Sequence, residues 1–466
     1  MRRALAHSRH LNQGIFRTYD IRGIVDETLT IETVFLIGCA FGSLVRESGD
    51  DQVTIARDGR LSSPVLANTL SDGIRASGCD VVNLGMVPTP LLYYAVHDSN
   101  KRSGVMLTGS HNPPNYNGMK MVVQGVTLSE EGIQALYQRI IRKKFSKGSG
   151  IYQESHVVDR YIHDVVSNIQ LKRQLKVVID AGNGVTGMIA PQLFRALNCE
   201  VHELFCEVDG HFPNHHPDPS SADNLQDLIH MVRERKADVG LAFDGDGDRL
   251  GIVTQDGEII CADRVLMVFA RALLAQRKNV KIIFDVKCTD HLPDLITSLG
   301  GQPIMWKTGH SLIKAKMAET KALLAGEMSG HFFFKDRWHG FDDALYAGAR
   351  LLEILAEQPA ESASIFSSIP NSVNTPELKV LVADEEKFDL MQSLISQANF
   401  AEAKEVMTID GLRVNFADGW GLVRPSNTTP YLILRFEALN ETILAHIQAL
   451  FRKWMLSVRP DLELPF

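Results

Sequence analysis

The sequence predicts an α/β protein built of three similar α/β units with mixed, largely parallel sheets, followed by a smaller C-terminal α+β domain. Three observations carry this. Short apolar runs that end in polar, glycine-rich loops recur in three successive sets. Helix-period stretches lie between the runs, the alternation expected of βα units feeding a parallel sheet. Beyond Glu377 the pattern changes to closely spaced strands with few intervening helices.

Taken in order, the first set runs Val53–Ala56 into Arg57-Asp-Gly-Arg60, Val81–Leu84 into Gly85-Met-Val-Pro88, and Val105–Leu107 into Thr108-Gly-Ser-His-Asn-Pro-Pro114. The second runs Val177–Asp180 into Ala-Gly-Asn-Gly184, then Glu200–Leu204, then Val239–Phe243 into Asp244-Gly-Asp-Gly-Asp-Arg249. The third runs Lys281–Asp285 into Val-Lys-Cys-Thr289, Pro303–Trp306 into Lys-Thr-Gly-His310, and Leu323–Ala325 into Gly326-Glu-Met-Ser-Gly-His331. Pro64 to Ala76, Pro191 to Leu197 and Ser311 to Glu319 read as helices between them. The repeat is one of pattern, not of identity. From Glu377 to Phe466 the reading is strand, helix, strand, strand, helix, with the loop Arg424-Pro-Ser-Asn-Thr-Thr-Pro430 between the last two strands. Lapses of periodicity at Phe145–Gly150, Asp256-Gly257 and Ile369–Pro376 divide the chain into 1–152, 153–257, 258–370 and 371–466.

Composition removes several classes of function. At 466 residues the chain exceeds one hydrophobic core, and with roughly 100–200 residues per domain it should divide into three or four. A hydrophobic content of 45% and a charged content of 22% are ordinary for a globular protein. A formal net charge of -8 argues against nucleic acid or a membrane surface as partner, since both call for a basic face. Six scattered cysteines without a Cys-x-x-Cys pair give neither a disulfide framework nor a zinc site. The basic start, Met1 to His10, lacks an apolar stretch, and Thr33–Val45 is too short to span a bilayer. A cytoplasmic location is expected.

The chemistry gathers on the loops. Ser110 stands where an apolar strand stops, at the carboxyl edge where open α/β sheets hold their reactive groups. Asp244, Asp246 and Asp248 alternate with glycines after another strand; three converging carboxylates repel one another unless a hard cation lies between them. An EF-hand would need glycine and glutamate where Arg249 and Gln255 stand, so that reading fails. A serine beside an octahedral Mg²⁺ site suits phosphoryl transfer with a covalent carrier. Neither Gly-x-Ser-x-Gly nor a P-loop pattern occurs, which disfavours a serine hydrolase and an ordinary nucleotide-dependent kinase. Arg424-Pro-Ser-Asn-Thr-Thr429 offers a planar guanidinium and a polar turn for a second phosphate. Glu327, Ser329 and His331 share one short loop able to grip vicinal hydroxyls.

These motifs, with Phe16-Arg-Thr-Tyr-Asp-Ile-Arg-Gly23 near the start, resemble the α-D-phosphohexomutase superfamily, specifically its bacterial phosphomannomutase/phosphoglucomutase branch, over the whole chain. The resemblance implies four domains around a central cleft and a phosphate carried on Ser110. It implies reversible transfer between the 1- and 6-positions of mannose and glucose phosphates through a hexose 1,6-bisphosphate. It matches Asp244, Asp246 and Asp248 to the Mg²⁺ ligands, with the Ser110 phosphate as a further ligand, and Glu327 and Ser329 to the grip on the sugar's 3- and 4-hydroxyls. Arg22, Lys120, His331 and His111 border the reaction centre by the same resemblance, and Tyr19, Arg249, Lys287, His310, Arg424, Ser426, Asn427 and Thr428 contact substrate. His331 is the side chain best suited to general acid/base work near neutral pH; Lys120 with a depressed pKa is the alternative. Pro425 and Met119 depart from residues common in relatives, and Met328 stands where glucosamine-phosphate relatives tend to carry glutamine. The expected partners are phosphosugars, with no nucleic acid and no membrane, and the expected state is a monomer. The alternatives are a phosphoglucosamine mutase and a non-catalytic phosphosugar-binding protein.

Overall fold

The computed structural model describes residues 11–427 and 429–466, so the basic start and Thr428 lie outside the described residues. The first sheet contains β1 (Ile21–Ile24), β2 (Gln52–Arg57), β3 (Asp80–Met86), β4 (Gly104–Leu107), β5 (Tyr116–Val123), β6 (Val126–Thr127) and β7 (Tyr152–Glu154). Its order is β1-β5-β4-β2-β3-β7, with β6 beside β5. The second comprises β8 (Lys176–Asp180), β9 (Glu200–Leu204), β10 (Val239–Phe243), β11 (Leu250–Thr254) and β12 (Ile259–Ile260), in the order β12-β11-β10-β8-β9. The third comprises β13 (Lys281–Asp285), β14 (Gln302–Trp306), β15 (Leu324–Gly326) and β16 (Phe332–Phe334), in the order β14-β13-β15-β16.

One four-strand arrangement recurs in all three. The orders β3-β2-β4-β5, β9-β8-β10-β11 and β14-β13-β15-β16 each place three parallel strands beside a fourth that runs antiparallel. Parallel neighbours need a crossover, and helices supply it: Ser63–Ala76 and Thr89–Asp98 in the first unit, Ala190–Ala196 and Gln226–Arg235 in the second, His291–Ser298 and His310–Thr320 in the third. The antiparallel reversal needs only a short loop. That loop is 108–115, 244–249 or 327–331, so each chemical motif occupies the same topological position in its unit.

The apolar stretch Thr33–Val45 forms the helix Ile31–Glu47, buried against Ser63–Ala76. Gly38 and Gly73 let the two backbones touch, since a Cβ on Gly38 would lie 2.5 Å from the Leu70 carbonyl oxygen. One apolar core runs through all three units, with Leu91, Tyr94 and Met106 from the first, Ile179 and Phe243 from the second, and Phe269, Phe332 and Tyr346 from the third.

The C-terminal domain has a separate core around Val414, Leu434 and Phe451. Its sheet holds β17 (Val373–Asn374), β18 (Leu378–Leu381), β19 (Glu405–Met407), β20 (Leu412–Asn415), β21 (Gly419–Pro425) and β22 (Tyr431–Ala438), all antiparallel. The sequence reading lacked β19 and β20, two short strands joined through Gly411, whose φ of 80° makes the turn. This domain meets the third unit through buried arginines. Arg413 stacks 3.7 Å above the Trp420 ring and donates to the carbonyls of Val286 (2.5 Å) and Cys288 (2.9 Å). Arg435 pairs with Asp263 at 3.1 Å and donates to the Lys287 carbonyl.

All six cysteines are unpaired thiols. Among the described residues no helix is long and apolar enough to cross a membrane.

Candidate active site

Ser110 sits at the tip of its loop with φ 47°, a left-handed conformation that costs a serine roughly 1–3 kcal/mol and persists only where the surroundings enforce it. Arg60 and Asp58, at the end of β2, do so. The Arg60 guanidinium, 1% exposed, donates to the carbonyls of Ser110 (2.8 Å), Asn112 (2.6 Å), Pro113 (2.5 Å) and Tyr116 (3.0 Å). Asp58 pairs with Arg60 Nε at 3.2 Å and accepts from the Gly109 amide at 3.0 Å. A Cβ on Gly109 would lie 2.4 Å from the Arg60 side chain, so only glycine fits there. The Ser110 hydroxyl is turned toward the second unit and donates to Asp244 Oδ2 at 2.9 Å.

The second loop is wound around Asp244, whose Oδ1 accepts from the amides of Gly247, Asp248 and Arg249 at 2.9, 3.1 and 3.2 Å. Gly245 is pressed against the Ser110 carbonyl, 2.5 Å from where a Cβ would stand. Asp244, Asp246 and Asp248 are fully buried, and one oxygen of each lies within 4.8 Å of the others. Burial, followed by the charges of Asp246 and Asp248, pushes the Asp244 carboxyl well above the usual carboxylate range. Asp246 Oδ1 is buried with no hydrogen-bond partner among the described residues. Excess buried negative charge and an orphaned carboxylate oxygen fit a divalent cation.

Lys120, from β5, reaches the same cluster. Its Nζ donates to Asp246 Oδ2 at 2.7 Å and also contacts Asp248 Oδ2. Burial favours the neutral amine, yet the two carboxylates outweigh it and raise the pKa above the usual lysine value. The alternative of Lys120 as the acid/base required a depressed pKa, and the shift runs the other way because the ammonium is buried beside its counter-charges, not alone.

His331, on the third loop, faces both ways. Its Nδ1 lies 3.1 Å from Glu327 Oε2 and 3.0 Å from Ser329 Oγ, and its Nε2 lies 3.2 Å from Asp248 Oδ1 and 3.9 Å from Asp342 Oδ2. Burial alone would lower its pKa; Asp248 and Glu327 overcome that and hold it at about 9. His310 stacks on it at 5.8 Å and behaves oppositely, driven well below the usual value by burial and by Lys314. Glu327 Oε1 accepts from the Gly309 amide at 2.5 Å. The Tyr19 ring packs edge-on against His310 at 5.3 Å.

The other candidates surround this centre. Arg22 pairs with Asp20 at 2.5 Å and donates to Asn112 of the serine loop. His111 Nδ1 lies 3.0 Å from Asp218 Oδ2, and burial, then the Arg249 charge, lowers its pKa to about 4. Arg249 has a buried Nε without a hydrogen-bond partner among the described residues. Lys287 pairs with Glu377 of the C-terminal domain at 2.5 Å. Arg424 donates to Asp410 at 2.9 Å, and Ser426 Oγ accepts from the Thr429 amide at 3.1 Å. Asn427 Oδ1 accepts from Thr18 Oγ1 at 3.3 Å, joining the last loop to the first unit. Thr428 lies outside the described residues.

Sequence reasoning missed the supports. Arg60 and Asp58 were visible only as the loop Arg57-Asp-Gly-Arg60 after a strand. Thr89, whose Oγ1 donates to Asp246 Oδ2 at 2.6 Å, follows the loop Gly85-Met-Val-Pro88 and was not singled out. Asp218 and Asp342 gave no local signal.

Comparison with known proteins bears on the family and the fold. Family models for phosphoglucomutase/phosphomannomutase match in order: alpha/beta/alpha domain I over residues 13–147, domain II over 159–257, domain III over 262–372 and the C-terminal domain over 377–453. The chain is 52% identical over 456 residues to a phosphomannomutase/phosphoglucomutase of Pseudomonas putida, covering 98% of each. It is 49% identical to a phosphoglucomutase of Neisseria meningitidis, covering 98% of this chain and 99% of that one. A crystal structure of a phosphoglucomutase/phosphomannomutase family protein from Burkholderia thailandensis superposes with a TM-score of 0.93 at 52% identity, over 98% of this chain and all of that one. With four domain models in sequence and relatives half identical along nearly the full length, the chain belongs to the phosphoglucomutase/phosphomannomutase family of the α-D-phosphohexomutase superfamily.

Proposed function

We propose that the protein is a phosphomannomutase/phosphoglucomutase that moves a phosphoryl group reversibly between the 1- and 6-positions of hexose phosphates, with Ser110 as the carrier. The observation that supports this most directly is the Ser110 hydroxyl, held in a strained turn and directed 2.9 Å onto one of three buried carboxylates from the next unit. A pure binding protein has no use for a serine so held beside an acidic triad.

In this reading the bond from phosphorus to Ser110 Oγ breaks as a bond from phosphorus to the free sugar hydroxyl forms, and the proton of that hydroxyl passes to the protein. The resulting 1,6-bisphosphate turns over and returns its other phosphate to Ser110, restoring the carrier. Asp244, Asp246 and Asp248, with an oxygen of the phosphorylated serine, would hold Mg²⁺, which offsets negative charge on the transferred group when bound. Lys120 and Arg22 add positive charge at the same place. His331 gives a proton to Ser110 Oγ as that oxygen leaves phosphorus and recovers one from the attacking sugar hydroxyl, so that the step neither gains nor loses a proton overall. Glu327 and Ser329 grip the sugar's 3- and 4-hydroxyls, which glucose and mannose share in configuration. Arg249, Lys287, His310 and Tyr19 line the substrate's path, and Arg424, Ser426, Asn427 and Thr428 hold the distal phosphate. Hexose 1,6-bisphosphate serves as activator by refilling an empty Ser110. We place the domains at 1–152, 153–257, 258–370 and 371–466, and the enzyme in the cytoplasm as a monomer that engages phosphosugars and no nucleic acid.

Intact mass spectrometry of the purified protein should show one added phosphate at partial occupancy, absent from Ser110→Ala. Rates on mannose 1-phosphate, glucose 1-phosphate and glucosamine 1-phosphate should favour the first two. A Ser110→Ala variant that isomerises mannose 1-phosphate at the parental rate, with Mg²⁺ and bisphosphate present, would overturn the assignment.

A further inference from the structure

Between elements of the first and third units, with Lys314 in its wall, a cavity of about 540 Å³ opens. That volume is typical of a small-molecule site. Its inner wall is apolar, built from Val96, Val122, Met317 and Phe341. Four cations line it, Arg102, Lys314, Lys321 and Lys335, and no aspartate or glutamate does. Among the described residues only Lys314 of these four is ion-paired, to Asp342 Oδ1 at 2.8 Å. The like charges are felt locally: His339, on the same wall, is pushed down to about 4 by burial, by His97 and by Lys335. Three hydroxyl-bearing residues, Tyr93, Thr127 and Ser311, also line the cavity, and the buried hydroxyls of Tyr93 (4% exposed) and Ser311 (1%) have no hydrogen-bond partner among the described residues. Ser110, the three aspartates, Glu327 and Arg424 take no part in it.

We propose that this cavity is a second ligand site, for a small anion with a flat apolar body, of the chemical class of a nucleoside phosphate. Unneutralised cations around an apolar wall ask for an anion that carries hydrophobic surface. The phosphate meets Arg102, Lys321 and Lys335, and the ring lies against Val96 and Phe341. A rotamer change at Ser311 brings its unpaired hydroxyl to the ligand. Lys314 carries the consequence inward. It holds Asp342, whose other oxygen lies 3.6 Å from His310 Nδ1 and 3.9 Å from His331 Nε2. A phosphate that draws Lys314 outward releases Asp342 beside His310 and His331. The binding half of this proposal is independent of the mutase reading; the regulatory half rests on it.

The test is calorimetric titration of the full chain with GDP and with AMP, the catalytic cleft being filled by saturating glucose 1,6-bisphosphate. Arg102→Glu/Lys335→Glu, altered at two exposed positions, is the comparison. Binding of either nucleotide, weakened at least about tenfold in the variant, with the variant's nucleotide-free turnover of mannose 1-phosphate unchanged, is the expected result. Absence of heat with both nucleotides, equal affinity in the variant, or equal affinity for inorganic phosphate alone would overturn the site. Addition of the bound nucleotide should change parental turnover by at least about twofold, and no change would remove the regulatory half. A chain that binds GDP in this way yet isomerises no hexose phosphate would sink the mutase reading and leave the site standing.

Discussion

Replacing Arg60 with methionine isolates how the carrier serine is held. Methionine keeps much of the apolar stem and removes a buried guanidinium that donates to three loop carbonyls and that of Tyr116 and pairs with Asp58. Breaking one side of a buried ion pair costs about 3–5 kcal/mol, because Asp58, itself 2% exposed, remains charged in a dry place. Carbonyls left without donors add about 1–3 kcal/mol each where water cannot reach them, and such terms are not additive. A stability loss of about 4 kcal/mol in urea unfolding is therefore expected. The functional effect should be larger than stability alone implies, since a displacement of about 1 Å at a reacting atom costs on the order of a hundredfold in rate. The rate at which Ser110 takes phosphate from glucose 1,6-bisphosphate, followed by intact mass, reads that directly. Arg60→Lys retains the charge facing Asp58 but not the planar fork, so it should recover most of the stability and little of the rate. If Arg60→Met lost less than about 1 kcal/mol and accepted phosphate at the parental rate, the loop would not depend on this clamp and the reasoning would fail.

Three further outcomes follow from the same structure. His331→Gln should lower turnover by about a hundredfold or more while phosphosugar affinity stays within about threefold; unchanged turnover would remove His331 from the chemistry. Lys120→Met leaves Asp246 and Asp248 without their cation, so the metal-free protein should lose about 3–5 kcal/mol and regain more of it on addition of Mg²⁺ than the parent does; an equal Mg²⁺ response would refute this. Asp343 starts the helix Ala344–Glu357 and accepts from the Tyr346 amide, Tyr161 and Trp338, yet burial raises its pKa to about 6. The folded state thus holds the Asp343 proton more tightly than the unfolded chain does, and this contribution is complete below about pH 4 and lost as pH rises through 6. Relative to Asp343→Asn, the parent should lose up to about 3 kcal/mol between those values. Parallel stability curves for the two proteins would exclude it.

Ser110, the aspartate triad and the Glu327–His331 loop were legible in the sequence because each packs its chemistry into a few consecutive residues at a strand end. The three-unit fold was legible for a related reason: buried parallel strands are apolar runs, and the turns that end them are rich in glycine. What could not be read were contacts between distant segments. His111 meets Asp218, Thr89 meets Asp246, and Arg60 meets the serine loop across stretches of sequence that carry no trace of the pairing. The charge states of His331 and Lys120 were hidden for the same reason, since Asp248, supplied by another unit, weighs on both. The β19–β20 hairpin escaped because three- and four-residue strands leave too short an alternation to register.

An apolar core joins parts of the first three units, and the first unit has a second core of its own, while the fourth unit has only its separate core and forms the smaller block. Moderate heating should melt the smaller block first, once the arginine contacts of Arg413 and Arg435 give way. The surviving block would keep its serine, its acids and its histidines assembled. Such a half-melted enzyme could still be charged with phosphate but would have lost its hold on the far end of the sugar, so thermal inactivation should precede loss of the label on Ser110.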